Sequence, residues 1–105
     1  MQAIPYHQLA DSIFNQLEAA LEEVDADGQL ELDIAGGVMT IVLESGKTFV
    51  VSRHEPSQQI WLSSPLSGGL HFSYQSGIWQ LADGRELTAL LAGELRQLAG
   101  LHVSF

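Results

Sequence analysis

Cysteine is absent from this chain of 105 residues, so it holds no disulfide, no thiolate nucleophile and no cysteine-based structural zinc site. The absence is compatible with a reducing compartment, and the expected location is the cytoplasm. Basic residues are almost as scarce. Four Lys and Arg face thirteen Asp and Glu, a formal net charge of −9. Nucleic acid requires a basic footprint and anionic membranes a polybasic one, so neither is an expected partner. No apolar run approaches the ~20 residues of a membrane-spanning helix. No basic segment leads into an apolar stretch, so the expectation is a soluble, unexported protein. Repeats, low-complexity tracts and linker-like composition shifts are also missing. One domain over residues 1–105, with a single core, is the expected organisation.

What is present is acid, and it is localised. Eight of the thirteen acidic residues lie between Asp11 and Asp33, and no Lys or Arg precedes Lys47. Apolar residues recur at Tyr6, Leu9, Ala10, Ile13, Leu17, Leu21 and Val24, helical spacing along one face, with Pro5 suited to the first turn. Asp11, Asn15, Glu18 and Glu22 fall on the opposite side. The helix should end near Val24, which places Glu22, Glu23 and Asp25 where its dipole already concentrates negative charge. Stability alone rarely selects such crowding. It points to a cationic ligand or partner, against the plainer reading of a solvated face that keeps the protein soluble.

After the turn at Asp25-Ala26-Asp27-Gly28 the period changes to two. Leu30, Leu32 and Ile34 alternate with Glu31 and Asp33, the pattern of a strand with one buried face. Gly36-Gly37 and Ser45-Gly46 read as hairpin turns around a strand at Val38–Glu44. Further strands are expected at Thr48–Arg53, Gln59–Ser63, Leu70–Tyr74 and Ile78–Leu81. Asp83 and Glu86 have the spacing of a capping box before a second amphipathic helix carrying Leu87, Leu90, Leu91, Leu95 and Leu98, with Gly100 as its stop. A helix, about six strands and a helix, joined by short loops, make an α+β fold: a two-layer α-β sandwich, both helices on one face of an antiparallel sheet.

Carboxylates are hard oxygen donors, suited to iron, magnesium, calcium or manganese. Glu18 and Glu22 share a helix face and Glu31 and Asp33 a strand face, so one negative ridge forms if that strand lies beside the helix at the sheet edge. His7 and Asp11 are four apart on the first helix, a secondary two-ligand candidate beside the plainer reading of an exposed histidine near a helix start. His54, His71 and His102 lack metal-site spacing. If Ile60 and Leu62 face the helices, Trp61 points to the open face together with Gln59 and His71. An exposed Trp there is a binding anchor, although the pattern equally allows a core Trp. Trp79 reads as core. No nucleophile–histidine–carboxylate order, phosphate loop or Glu-x-x-His di-iron pattern occurs, so the chain is not expected to be an enzyme.

The acidic helix-to-strand segment is followed by GGVMTI (Gly36 to Ile41), SRHEPSQQIWLSS (Ser52 to Ser64), GGLHFSY (Gly68 to Tyr74) and a closing helix ending in VSF (Val103 to Phe105). In this order, over essentially the whole chain, these segments resemble the frataxin family and in particular its bacterial CyaY-type members. The R-x-E-P-x-x-Q-x-W-L pattern around Trp61 is the distinctive part. The resemblance implies weak, surface-bound ferrous or ferric iron, replaceable by other hard divalent or trivalent cations. Its ridge positions match Glu18, Glu22, Glu23, Asp25, Asp27, Glu31 and Asp33, while two positions often acidic in bacterial relatives are Ala19 and Gln29 here. It further implies regulation of iron–sulfur cluster assembly by docking on the cysteine desulfurase, and on the iron–sulfur scaffold protein, from a chain monomeric without metal. Trp61, Gln59, His71, Glu18 and Glu22 are the expected docking residues. The rival reading, from another class, is a metal-independent acidic module that complements a basic partner.

Overall fold

The computed structural model of the chain describes residues 4–25, 28 and 30–105. Asp27 and Gln29, both named above for the ridge, lie outside the described residues. The first helix, α1, runs Tyr6–Val24. Pro5 is not in its first turn but caps it, with its carbonyl accepting the N–H groups of Gln8 and Leu9 at 3.1 and 3.2 Å. Ala10, Ile13, Phe14, Leu17, Ala20 and Leu21 are buried along one stripe. Phe14 joins it because it stands four after Ala10 and three before Leu17.

Six strands follow: β1 Leu30–Ala35, β2 Val38–Leu43, β3 Thr48–His54, β4 Gln59–Ser64, β5 Gly68–Gln75 and β6 Ile78–Gln80. Each pairs antiparallel with its neighbour in sequence, so the sheet is a meander in the order β1-β2-β3-β4-β5-β6. The two-residue turn Gly36-Gly37 has φ of +59° and +78°, conformations that such a hairpin demands and that glycine adopts without steric cost. The helix α2 covers Leu87–Ala99. Both helices pack on one face of the sheet, as expected. Met39, Ile41, Phe49, Val51, Ile60, Leu62 and Phe72 project from the sheet into the core, where Leu87, Leu91 and Leu95 of α2 meet them. Trp79 is 5% exposed and belongs to this core. The backbone after α2 adds Leu101, Val103 and Phe105, which pack against the same core.

Two local expectations are corrected. Asp83 and Glu86 do not form a capping box. The Asp83 carboxylate accepts the Arg85 N–H at 3.0 Å and pairs with Arg85 Nε at 2.9 Å, within a turn that Gly84 closes at φ +93°. Glu86, bridged to Gln80, becomes the residue before the helix and makes no side-chain cap. The D-x-x-E pattern is served by a short-range Asx-type turn instead. Ile34, expected on the buried face of β1, is 39% exposed. Burial falls along β1 from Leu30 through half-buried Leu32. Leu30 is tied by its N–H to Asp25 at the end of α1, whereas Ile34 lines an open pocket with Phe14, Gly36 and Arg53. Gly100 does stop α2, in the left-handed region at φ +66° with its N–H on the Arg96 carbonyl at 2.9 Å.

α2 is fastened by a buried carboxylate. Glu94 accepts the hydroxyls of Ser64 and Ser67, and Ser64 Oγ in turn accepts the N–H groups of Leu66 and Ser67, each at 3.0 Å. A carboxylate is tolerated inside when its oxygens are hydrogen-bonded.

Candidate functional site

Two surfaces collect the residues singled out from the sequence. The first is the edge where α1 ends and β1 begins. Glu22 and Glu23 are exposed and Glu18 half-buried on the last turns of α1. Asp25 follows at the C-terminus, and its Oδ1 accepts the N–H of Leu30 at 2.9 Å. That bond ties the helix end to the start of the edge strand. Among the described ridge carboxylates, this structural duty belongs to Asp25 alone. Glu31 and Asp33 are exposed, on the face of β1 opposite Leu30 and Leu32, and pair across with Val42 and Thr40. Charges on an edge strand also deter pairing with another chain, a plainer role for these two.

Among the described residues no basic side chain pairs with this edge. Among the described residues the ion pairs are Arg53–Asp11 at 2.6 Å and Arg85–Asp83 at 2.9 Å, and neither involves a ridge carboxylate. The ridge is not a preformed cage either. Among the described residues no three His, Asp or Glu side chains converge as a metal site would require. The acids form a field of oxygen donors that a hydrated hard cation can share, with little power to select among cations.

His7 and Asp11 share a helix face, but Asp11 is engaged elsewhere. Its carboxylate holds Nη1 of Arg53, whose guanidinium carbon also lies 4.8 Å from the ring centre of Phe14. Arg53 comes from the helix-facing side of β3, beside Ile60 in register. This pair fastens α1 to the sheet, a contact that neither segment announces alone.

The second surface is the open face of the sheet at β3, β4 and β5. Ile60 and Leu62 are buried, so Trp61 between them faces outward, paired with His71 across β4 and β5. The indole is not bare. His71 stacks on one face at 4.1 Å between ring centres and His54 on the other at 3.8 Å, with interplanar angles of 12° and 9°. Gln59 holds the assembly in place. Its Oε1 accepts Trp61 Nε1–H at 3.0 Å and Ser57 Oγ–H at 3.0 Å, and its Nε2 donates to Ser73 Oγ at 3.2 Å. Alternation along the strands predicted Trp61, Gln59 and His71 on one face. It missed His54, which reaches the stack because the Glu55–Ser57 3-10 turn sets it opposite Gln59, two residues before Trp61.

Tyr6 closes the far side of β4. Its hydroxyl donates to the Gln59 carbonyl at 2.7 Å and its ring meets Trp79 edge-on at 6.1 Å. Partial burial raises the phenol above its ordinary range, so it stays protonated as the donor this bond needs.

Comparison with known proteins agrees with this architecture. Residues 1–101 match the frataxin-like domain. A frataxin of the CyaY family from Psychromonas ingrahamii superposes with a TM-score of 0.85 at 27% identity, covering 94% of this chain and 92% of that one. Trimeric frataxin from the yeast Saccharomyces cerevisiae, complexed with ferrous iron, superposes at 0.77 with 31% identity, covering 92% of this chain and 88% of that one. Another yeast frataxin structure gives 0.76 at 31% identity, covering 95% and 93%. By sequence over nearly its whole length and by fold, the chain belongs to the frataxin family.

Proposed function

We propose that this protein is an iron-binding adaptor that regulates iron–sulfur cluster assembly, and not an enzyme. The observation that carries the reading is the edge formed by Glu18, Glu22, Glu23, Glu31 and Asp33, with none of these carboxylates in an ion pair among the described residues. A helix C-terminus and an edge strand hold these charges together at a cost, and a bound cation relieves it. Ferrous or ferric iron fits the donor chemistry, and a related yeast frataxin carries ferrous iron. Binding is weak and exposed, shared among carboxylates, with other hard cations able to replace iron.

The same edge, together with the Trp61 face, docks on a basic groove of the cysteine desulfurase assembly. Negative charge steers the approach and the indole supplies short-range contact. Iron on the ridge then changes the charge presented to the partner, which couples iron supply to cluster synthesis. Desulfurase-driven cluster assembly, followed with and without ferrous iron, tests the reading. A Glu18→Gln, Glu22→Gln variant should lose the iron response. An unchanged response would sink it.

One observation favours a second reading. Because no three donors converge among the described residues, the ridge also suits a metal-independent acidic module. If ferrous iron leaves both partner affinity and assembly rate unchanged while ridge neutralisation weakens docking, that module is the better description.

A further inference from the structure

The hydrogen bonds around Trp61 fix more than its orientation. An indole N–H only donates, so the Gln59 atom that meets it is Oε1. Ser57 Oγ, 3.0 Å from the same oxygen, must therefore donate to it. Its other contact as a donor, to the His54 carbonyl, is longer at 3.5 Å. With its hydrogen committed, Ser57 Oγ accepts from His54 Nδ1 at 2.6 Å. Network logic thus assigns the Nδ1–H tautomer to His54. In this tautomer Nε2 is the nitrogen that takes a second proton, and its uptake breaks none of these bonds. His71 lies against the opposite face of the same indole. Each imidazole, once protonated, is a cation held over a Trp ring within cation–π range.

We propose that His54, Trp61 and His71 form one proton-sensitive docking element. As neutral rings they present an uncharged aromatic block. When protonated they add positive charge beside Trp61, which the indole stabilises from within and which repels a basic partner surface. The inference rests on the reading of the Trp61 face as a docking surface and adds its control by pH. Both flat faces of the indole are covered, so a partner meets the edges of the three rings.

Surrounding charges do not mask the change. Arg53, next to His54, points to the helix side and is paired with Asp11. Glu55 turns toward the pocket that it lines with Arg53, Gly37 and Phe14. On the open face, β2 offers Val38 opposite Ser52, β4 adds Ser63, and β5 adds Gly69 and Ser73. The loop after β6 carries the Asp83–Arg85 pair, whose charges cancel. Asp33 of β1 is three strands from Trp61, about 14 Å at the usual strand spacing and beyond the Debye length at physiological salt. The helices lie on the other face.

Two measurements test the proposal. In NMR spectra, the Trp61 indole N–H should move with pH between 5 and 8 and stop moving in a His54→Gln, His71→Gln variant. The Trp79 indole, packed edge-on against Tyr6 and Tyr74, is the internal reference. Affinity for purified cysteine desulfurase should fall from pH 8 to pH 6 by roughly threefold to tenfold for wild type. The variant should lose most of that dependence. A Trp61 signal that moves no more than that of Trp79, or the same affinity at both pH values, overturns proton control while leaving docking intact. An equal fall in wild type and variant overturns it too. Absence of binding at pH 8 would instead remove the docking reading itself, and the indole titration would still decide whether the three rings respond together.

Discussion

The acidic edge and the Trp61 stack are built on opposite principles. At the edge, like charges gather, no ion pair among the described residues reaches them, and of the described ridge carboxylates Asp25 alone has a structural hydrogen bond. In the stack the indole is held on both faces and at its N–H, and Gln59 and Ser57 are hydrogen-bonded around it. An unsatisfied cluster acts at long range, responds to salt and takes up whatever counter-charge arrives. A satisfied cluster acts only at contact but is already in its binding geometry, so little entropy is lost on docking. Each surface supplies what the other lacks: reach on one side and fit on the other.

Breaking the stack should have the largest effect. Trp61→Ala is expected to cost about 2 kcal/mol or more of partner affinity, because a pre-positioned aromatic anchor is lost. Thermal unfolding should change little, since the rings lie on the open face outside the core. A large fall in Tm would show that the stack supports the sheet. Next comes the one ridge carboxylate with a structural bond. Asp25→Ala should lower stability by about 1–2 kcal/mol, because the Leu30 N–H loses a charged acceptor. Urea unfolding measures it.

Two smaller effects separate orientation from charge. Gln59→Leu removes the acceptor shared by Trp61 and Ser57 and should cost about 1 kcal/mol of partner affinity. The Trp61 side chain should then sample more than one rotamer by NMR. Glu22→Gln and Glu23→Gln should each raise stability by ~0.3–1 kcal/mol at low salt, since each carboxylate opposes the helix dipole. Added monovalent salt should shrink that gain. If these substitutions destabilise the metal-free protein, the two carboxylates make contacts beyond the ones described and the ridge does not oppose folding.

Much of this contrast was legible in the residues themselves. The apolar periods, helical before Val24 and after Glu86 and alternating between, set the element order and nearly every boundary. Strand parity alone put Ile60 and Leu62 inside and Trp61, Gln59 and His71 outside. What stayed hidden depends on non-local geometry or on competing local bonds. The Arg53–Asp11 pair exists only because α1 crosses the inner face of β3, which no spacing encodes. His54 joins the stack through a 3-10 turn closed by Gln58 in the left-handed region at φ +54°, where glycine would have been the expected residue. Asp83 and Glu86 fit both a capping box and a turn, and the positive φ of Gly84 goes with the turn.

The most direct test is an anaerobic titration with ferrous iron followed in amide NMR spectra, whose paramagnetic broadening reports which surface the ion visits. Broadening should begin at Glu18, Glu22, Glu23, Glu31 and Asp33 and leave the amides of Trp61 and His71 sharp at the same iron level. Glu18→Gln together with Glu22→Gln should shift the onset to higher iron. Bound iron should also raise stability by about 2.7 kcal/mol at a hundredfold excess over its dissociation constant. Broadening that starts at His54 and His71, or that is unchanged by ridge neutralisation, would contradict the assignment of the acidic edge as the iron-binding surface.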